Sequence, residues 1–195
     1  MLKGKNVYLQ SAQKEDLPKL YKIMLEDNMG NAFTTTYYEC TLNNLGSMLF
    51  ETDQGTQSKV FVAKKDKEII GFITLNDIHP IRRSAEIGAL GLKGEYQKKT
   101  KGAFINASYA YEISGLLAVY AFEVLNLNKL TAHTFSNNDN VDGIYKVGGF
   151  IKEGIAREYI PRNGKWLDRN EWGLIRKDYD KSQNFKDFKK YIDWK

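Results

Sequence analysis

Apolar positions recur along this chain with two periods. Period two, carried by β-branched and aromatic residues, marks strands at Asn6 to Gln10, Lys59 to Ala63, Glu68 to Asn76, Ser84 to Leu92 and Lys129 to Thr134. Two further strands, Phe150 to Tyr159 and Lys165 to Ile175, are joined across Pro161-Arg162-Asn163-Gly164, whose Asn-Gly pair is a strong hairpin signal. Steps of three and four mark helices. The longest runs from Ala107 to Leu127, where Ala110, Ile113, Leu117, Tyr120, Ala121 and Val124 share one face. Asn106 or Ser108 is placed to cap its start, and Asn126 to mark its end. Shorter helices are expected from about Ser11 to Glu26, from Thr41 to Glu51 and from Asn140 to Val147. A charged tail, Asp180 to Lys195, forms another with Phe185, Phe188, Tyr191 and Ile192 facing inward. The stretch Asp27 to Cys40, rich in Asn, Gly, Thr and Tyr, reads as a loop, and so does Asp77 to Ser84 with His79, Arg82 and Arg83.

The strand Ser84 to Leu92 feeds the long helix through a basic loop, Lys93 to Asn106, that holds Gly94 and Gly102. A strand, a glycine-bearing loop and a helix start collect free backbone N–H groups at the positive end of the helix, and that combination attracts phosphate. Taken alone, the lysines of this loop read more often as a solvated surface than as a binding site. With 195 residues and 42% hydrophobic positions, the chain suits one domain with a sizeable core. A net charge of +5 and a pI near 9.0 suit a polyphosphate ligand or RNA, but no RNA-binding motif of recognised spacing is present. The single cysteine, Cys40, excludes an intramolecular disulfide framework, and two histidines leave little for a metal cluster. No metal, no membrane span and a cytoplasmic location are therefore expected.

Tyr109 to Leu130 resembles the central helix and following strand of the GNAT superfamily of acyl-CoA-dependent N-acyltransferases, in particular its RimJ/RimL-type branch. Ala85 to Gly88 (Ala-Glu-Ile-Gly) and Gly94 to Gln97 (Gly-Glu-Tyr-Gln) resemble the branch's fourth strand and its approach to the pyrophosphate loop. Asn138 to Phe150 resembles its Asn-x-x-Ser-x-x-hydrophobic-Tyr-x-Lys-x-Gly-Phe run, with Val141 and Val147 in place of Ser and Lys. Lys152-Glu153-Gly154, Arg157 and Gly164 to Asp168 follow as the branch's C-terminal hairpin does. The family loop Gln/Arg-x-x-Gly-x-Gly/Ala fits Gln97 to Gly102 with Thr100 replacing one glycine, whereas the helix match places the loop's end at Ile105 to Ser108, so an insertion lies between the two registers.

The resemblance implies an α/β (α+β) GNAT fold: a mixed, mostly antiparallel, splayed sheet of about seven strands flanked by about four helices, plus a C-terminal helix. Residues 1–179 would form the acyltransferase domain, and residues 180–195 a helical tail packed on that domain or on a partner. Acetyl-CoA is the implied co-substrate, with no metal. Its contacts would come from Leu90, Gly91 and Leu92 of the strand, from Gln97, Lys98, Lys99, Lys101, Gly102, Asn106, Ala107 and Ser108 of the loop, and from Asn138. Two glycines in the strand, Gly88 and Gly91, suit a bulge or a close backbone approach. Phe33, Tyr37, Tyr38 and Glu39 would help wall the acceptor site, although aromatics in a loop also serve simply to tuck it onto a core.

The chemistry follows from what each step needs. A primary amine titrates near about 10, so a base that takes its proton, directly or through water, assists attack on a thioester at neutral pH. Glu86, on the strand that would line the acyl group, is the best-placed carboxylate, with a structural strand role weighed equally. Glu112 is a weaker candidate whose place in the helix suggests packing. The developing oxyanion needs donors already in position, and backbone N–H groups of the splayed strand provide them. The leaving thiolate needs a proton, and Tyr145 matches the family tyrosine that supplies it. The leading expectation is transfer of an acetyl group to a primary amine of a small molecule, an amino sugar, a polyamine or a protein N-terminus. The alternative is a GNAT-fold protein that binds a CoA-like or nucleotide ligand, or a protein partner, without turnover. A homodimer through the final strands or the tail is also expected, because Trp166, Trp172 and Trp194 offer large apolar surfaces.

Overall fold

The computed structural model describes residues 1–25, 41–50, 57–97, 108–162 and 164–190. The alternating segments become β1 (Leu2–Lys3), β2 (Tyr8–Ser11), β3 (Gln57–Lys65), β4 (Glu68–His79), β5 (Ser84–Leu92), β6 (Lys129–Phe135), β7 (Ile151–Arg162) and β8 (Lys165–Ile175). They form one sheet in the order β1-β2-β3-β4-β5-β6-β8-β7. Every pairing is antiparallel except β5 with β6. The eight strands exceed the expected seven by β1, a two-residue strand too short to show a period of its own.

Helices α1 (Leu17–Leu25) and α2 (Leu42–Phe50) cover one face of the sheet, where Leu20, Ile23, Met24, Leu45 and Leu49 meet Val60, Val62, Ile69 and Phe72. The other face carries α3 (Tyr109–Val119), α4 (Asp139–Val147), α5 (Arg176–Lys181) and α6 (Gln183–Lys189). There Ile113, Leu116 and Leu117 sit on Leu9, Ala63, Ile73, Leu75, Ile87 and Leu130. Strand alternation divides the apolar residues between these two cores, as period two requires.

The long helix begins at Tyr109. Of the two capping candidates Ser108 does the work, its Oγ accepting from Tyr111 N at 3.1 Å. All residues from Tyr111 to Val119 are buried, because α3 is enclosed by the sheet below and by other helices beside it. After Val119 the helix widens into a π-helical turn, Tyr120–Val124, and stops at Asn126, whose φ of +50° is the left-handed conformation that ends helices. Arg83 donates to the Asn126 carbonyl and side chain at 2.6 to 2.9 Å and so ties this end to the start of β5. The expected single tail helix is instead two short ones divided at Ser182, whose extended backbone (ψ 124°) breaks the ladder. Phe185 and Phe188 face inward as expected, and Tyr191, Ile192 and Trp194 lie outside the described residues.

Glu112, buried at the first turn of α3, accepts from the backbone N–H groups of Asn6 (2.7 Å) and Val7 (3.3 Å) and from the Asn6 side chain (2.8 Å). It clamps the β1–β2 turn, so its role is structural.

Candidate active site

The site is where β5 and β6 part. They pair only over Ser84 to Ile87 against Lys129 to Ala132. Beyond that point β6 stays with β8 as far as Phe135, and β5 stays with β4 as far as Leu92. Among the described residues, no strand pairs with the β6-facing edge of Gly88 to Leu92, and this edge carries Leu90, Gly91 and Leu92.

A bulge in β5 drives the separation. Between the pairs Ile87–Leu75 and Leu90–Ile73, β5 spends three steps where β4 spends two. Thr74 fills the irregularity, its Oγ1 accepting from Ala89 N at 2.9 Å. Gly88 is required here, since a Cβ would collide with the Thr74 hydroxyl and the Asn76 amide. Of the two strand glycines read from the sequence, this one marks the bulge.

Glu86 lies at the neck of the opening, and Tyr145, from the helical face, lies near enough for the Glu86 charge to act on its phenol. Glu86, one residue before the last paired position, shares the face of Thr131 and His133, and its Oε1 lies 3.4 Å from His133 Nδ1. Both side chains keep access to solvent, at 29% and 25% exposure. Tyr145 comes from the helical face, on α4, packed against Phe150 (5.0 Å) and Trp172 (6.2 Å) and 5% exposed. Burial, together with the negative charges of Glu86 and Asp142, pushes its phenol well above the usual tyrosine range. The group therefore holds its proton throughout the neutral range.

α4 is anchored by a buried polar network. Asp142 accepts from the Thr134 hydroxyl and from Asn170 Nδ2 (2.9 Å), while Trp172 Nε1 donates to Thr134 Oγ1 at 3.1 Å. Asn138 stands at the N-terminus of α4, with its side chain unused in capping and its backbone N–H donating to the Phe135 carbonyl (2.9 Å). Val141 packs on the main core and Val147 on the α3–α4 contact.

At the far end of β5, Gln97 Nε2 donates to the Leu92 carbonyl at 2.5 Å and closes a short 3-10 turn, Gly94–Tyr96. Lys93 is committed to Glu68 in an ion pair that raises the lysine's pKa and lowers the carboxyl's. Ser108, besides capping α3, is buried. Lys98, Lys99, Lys101, Gly102, Asn106 and Ala107 lie outside the described residues, as do Phe33, Tyr37, Tyr38 and Glu39. His79 accepts from Arg82 N (3.1 Å) within its own turn. The partner that sequence reading missed is His133. Its signal was the alternation Thr131, His133 on one face of β6, which becomes informative only once the parallel register with Glu86 is known.

Among the described residues, no group of His, Cys, Asp and Glu is arranged to hold a metal, and no helix is long and apolar enough to cross a membrane.

The family comparison agrees with this architecture, a mixed sheet opened between its parallel strands. The model of the acetyltransferase (GNAT) domain matches residues 9–171. The chain belongs to this family.

Among its relatives, the uncharacterized N-acetyltransferase YoaA of Bacillus subtilis is 27% identical over 110 residues, 56% of this chain and 57% of that protein. The spermidine N(1)-acetyltransferase of Vibrio cholerae is 27% identical over 123 residues, 63% of this chain and 66% of that protein. The chain thus spans less than two thirds of the length of either relative. The crystal structure of the Vibrio cholerae spermidine N-acetyltransferase in complex with CoA and spermine superposes with a TM-score of 0.75 at 24% identity, covering 89% of this chain and 98% of that one. It shares the fold.

Proposed function

We propose that this chain is a RimJ/RimL-type N-acetyltransferase of the cytoplasm that passes the acetyl group of acetyl-CoA to a primary amine by direct attack in a ternary complex. The observation that supports the reading is the parting of β5 from β6 after Ile87, with Glu86 at that point and a buried Tyr145 close enough to feel the Glu86 charge. Acetyl-CoA supplies the activated thioester carbonyl. Leu90, Gly91 and Leu92 offer a strand edge to the amides of its pantetheine arm, and Gln97, Ser108 and the loop residues between them lie on the approach to its pyrophosphate. Asn138, with its side chain outside the cap, adds a contact from α4.

Glu86 accepts the amine's proton, directly or through a water shared with His133, as the nitrogen forms its bond to the carbonyl carbon. N–H groups of the splayed β5 receive the negative charge that develops on the carbonyl oxygen. Tyr145 gives its proton to the sulfur as the C–S bond breaks; Glu86 then releases its proton to solvent, and Tyr145 regains one as CoA leaves and water enters the opening. The acceptor is a small-molecule amine, an amino sugar, a polyamine or a protein N-terminus, and the spermidine acetyltransferase relatives put a polyamine first in that set. Phe33, Tyr37, Tyr38 and Glu39 belong to its wall. Residues 1–179 carry the reaction, with the tail as an addition, and a homodimer through the final strands remains part of the proposal.

A reading without turnover has one specific observation in its favour: Lys93 is held by Glu68 and is not offered to a phosphate. A thermal-shift titration with acetyl-CoA, desulfo-CoA and ADP separates the two. A ligand at about 100 times its Kd stabilises the native state by about 2.7 kcal/mol. We expect saturable stabilisation by acetyl-CoA, followed by thiol release with spermidine, glucosamine or a peptide bearing a free N-terminus. Stabilisation without thiol release from any of the three would favour the binder, and no stabilisation at millimolar acetyl-CoA would sink the acetyltransferase reading.

A further inference from the structure

Beyond residue 171, where the family match ends, the last residues of β8 lead into α5 and α6, which turn back over the face that carries α3 and α4. Phe188 of α6 is seated on Gly115 of α3, at a spot where any Cβ would collide with its ring. Its ring lies 5.5 Å from that of Tyr111, and Ile144 and Val147 of α4 complete the cluster. Asn184 Nδ2 donates to the carbonyl of Val147, the last residue of α4, at 2.9 Å. Beneath these contacts Phe185 packs on Tyr179 (4.7 Å), which stacks on Phe122 (4.3 Å). On the far side Lys189 (2.7 Å) and Arg176 (3.5 Å) meet Glu123.

α4 is nine residues long, too short to hold an orientation by its own hydrogen bonds, so its tilt is set by what it touches. Its first turns are held by Asp142 on Thr134 and Asn170. At its other end Gly148 N donates to the Ile144 carbonyl (2.8 Å) and Phe150 N to the Tyr145 carbonyl (2.9 Å), so α4 turns directly into β7 and its tilt is set by what packs on that end. Tyr145 lies between the two ends, and its ring lines the same small gap as Phe185 and Phe188.

The geometry points to α6 as the element that positions Tyr145, with Asn184 and Phe188 fixing the C-terminal end of α4 against α3 so that the phenol is held at the opening between β5 and β6. Both are positioning residues, and the inference rests on the reading of Tyr145 as the proton donor. An error of about 1 Å in placing a reacting group costs on the order of 100-fold in rate, so a short contact remote from the chemistry has large leverage.

The test uses the full chain labelled with 13C at tyrosine Cζ, with the Tyr145 resonance identified by its loss in Tyr145→Phe. Asn184→Ala and Phe188→Ala should each displace or broaden that resonance at temperatures well below their melting points. Lys186→Ala, on the exposed side of α6, should leave it in place, and Phe188→Leu should restore most of it. In thiol release from acetyl-CoA, kcat should fall roughly 10- to 100-fold with KM for acetyl-CoA unchanged, and this loss should vanish in a Tyr145→Phe background. An unmoved Tyr145 resonance in both variants overturns the inference, and so does a rate loss that persists without the Tyr145 hydroxyl. A parent protein that fails to bind acetyl-CoA defeats the functional reading alone, because the resonance still reports whether α6 sets the position of Tyr145.

Discussion

At the scale of single residues, the two candidate groups are unequal in kind. Glu86 is partly exposed beside an imidazole, whereas Tyr145 is sealed among rings that keep its proton on. Replacing Tyr145 by Phe keeps the packing on Phe150 and Trp172 and removes only the hydroxyl. We therefore expect kcat to fall about 100-fold or more with the calorimetric Kd for acetyl-CoA unchanged. Glu86→Gln should lower kcat/KM most at neutral pH and least above about pH 10, where the acceptor amine is already neutral. A flat loss across a pH series would assign Glu86 to structure. Both residues were legible in the sequence through motif and strand position. The His133 contact was not, because it joins residues 47 positions apart through a strand register.

At the scale of elements, the bulge in β5 shapes the opening, and the clamp on β1–β2 holds the fold. Gly88→Ala would drive a methyl group into the Thr74 hydroxyl and the Asn76 amide. We expect a loss of about 1–3 kcal/mol in urea unfolding, with weaker binding of acetyl-CoA because the free edge of β5 is re-aimed. Gly149, by contrast, is needed for its φ of +80°, not for lack of space. Glu112→Ala strips a buried carboxylate from two backbone N–H groups and an amide. The expected cost is about 3 kcal/mol in the same measurement, with kcat of the folded fraction unchanged. Helix spacing identified α3 and left its cap between Asn106 and Ser108, of which the structure selects Ser108, but it could not show that every side of this helix is covered.

At the scale of the whole molecule, enclosure of α3 by sheet and helices leaves several tyrosines out of water. Burial pushes Tyr111 up to about 12 and raises Tyr120, Tyr145 and Tyr179 as well. Above about pH 10 the unfolded chain releases these protons while the folded one retains them. The unfolded state then binds fewer protons, and stability falls as pH rises through that window. Each such phenol contributes a slope of up to about 1.4 kcal/mol per pH unit. Urea midpoints should therefore decline between pH 10 and 12, and Tyr111→Phe should flatten the decline. A midpoint that holds constant over this range would contradict the burial of these hydroxyls.

The sequence by itself determined the order of seven of the strands and of the helices up to α4, and the hairpin that joins β7 to β8. These are local properties, written in periods of two and near four and in turn chemistry, and they survive without knowledge of what packs on what. Tertiary structure alone decided where β5 leaves β6, which glycine makes the bulge, that His133 stands beside Glu86 and that α6 closes on α4. Each of these depends on register or on contacts between residues distant in the chain, and a shift of one residue in a strand would send every side chain to the opposite face.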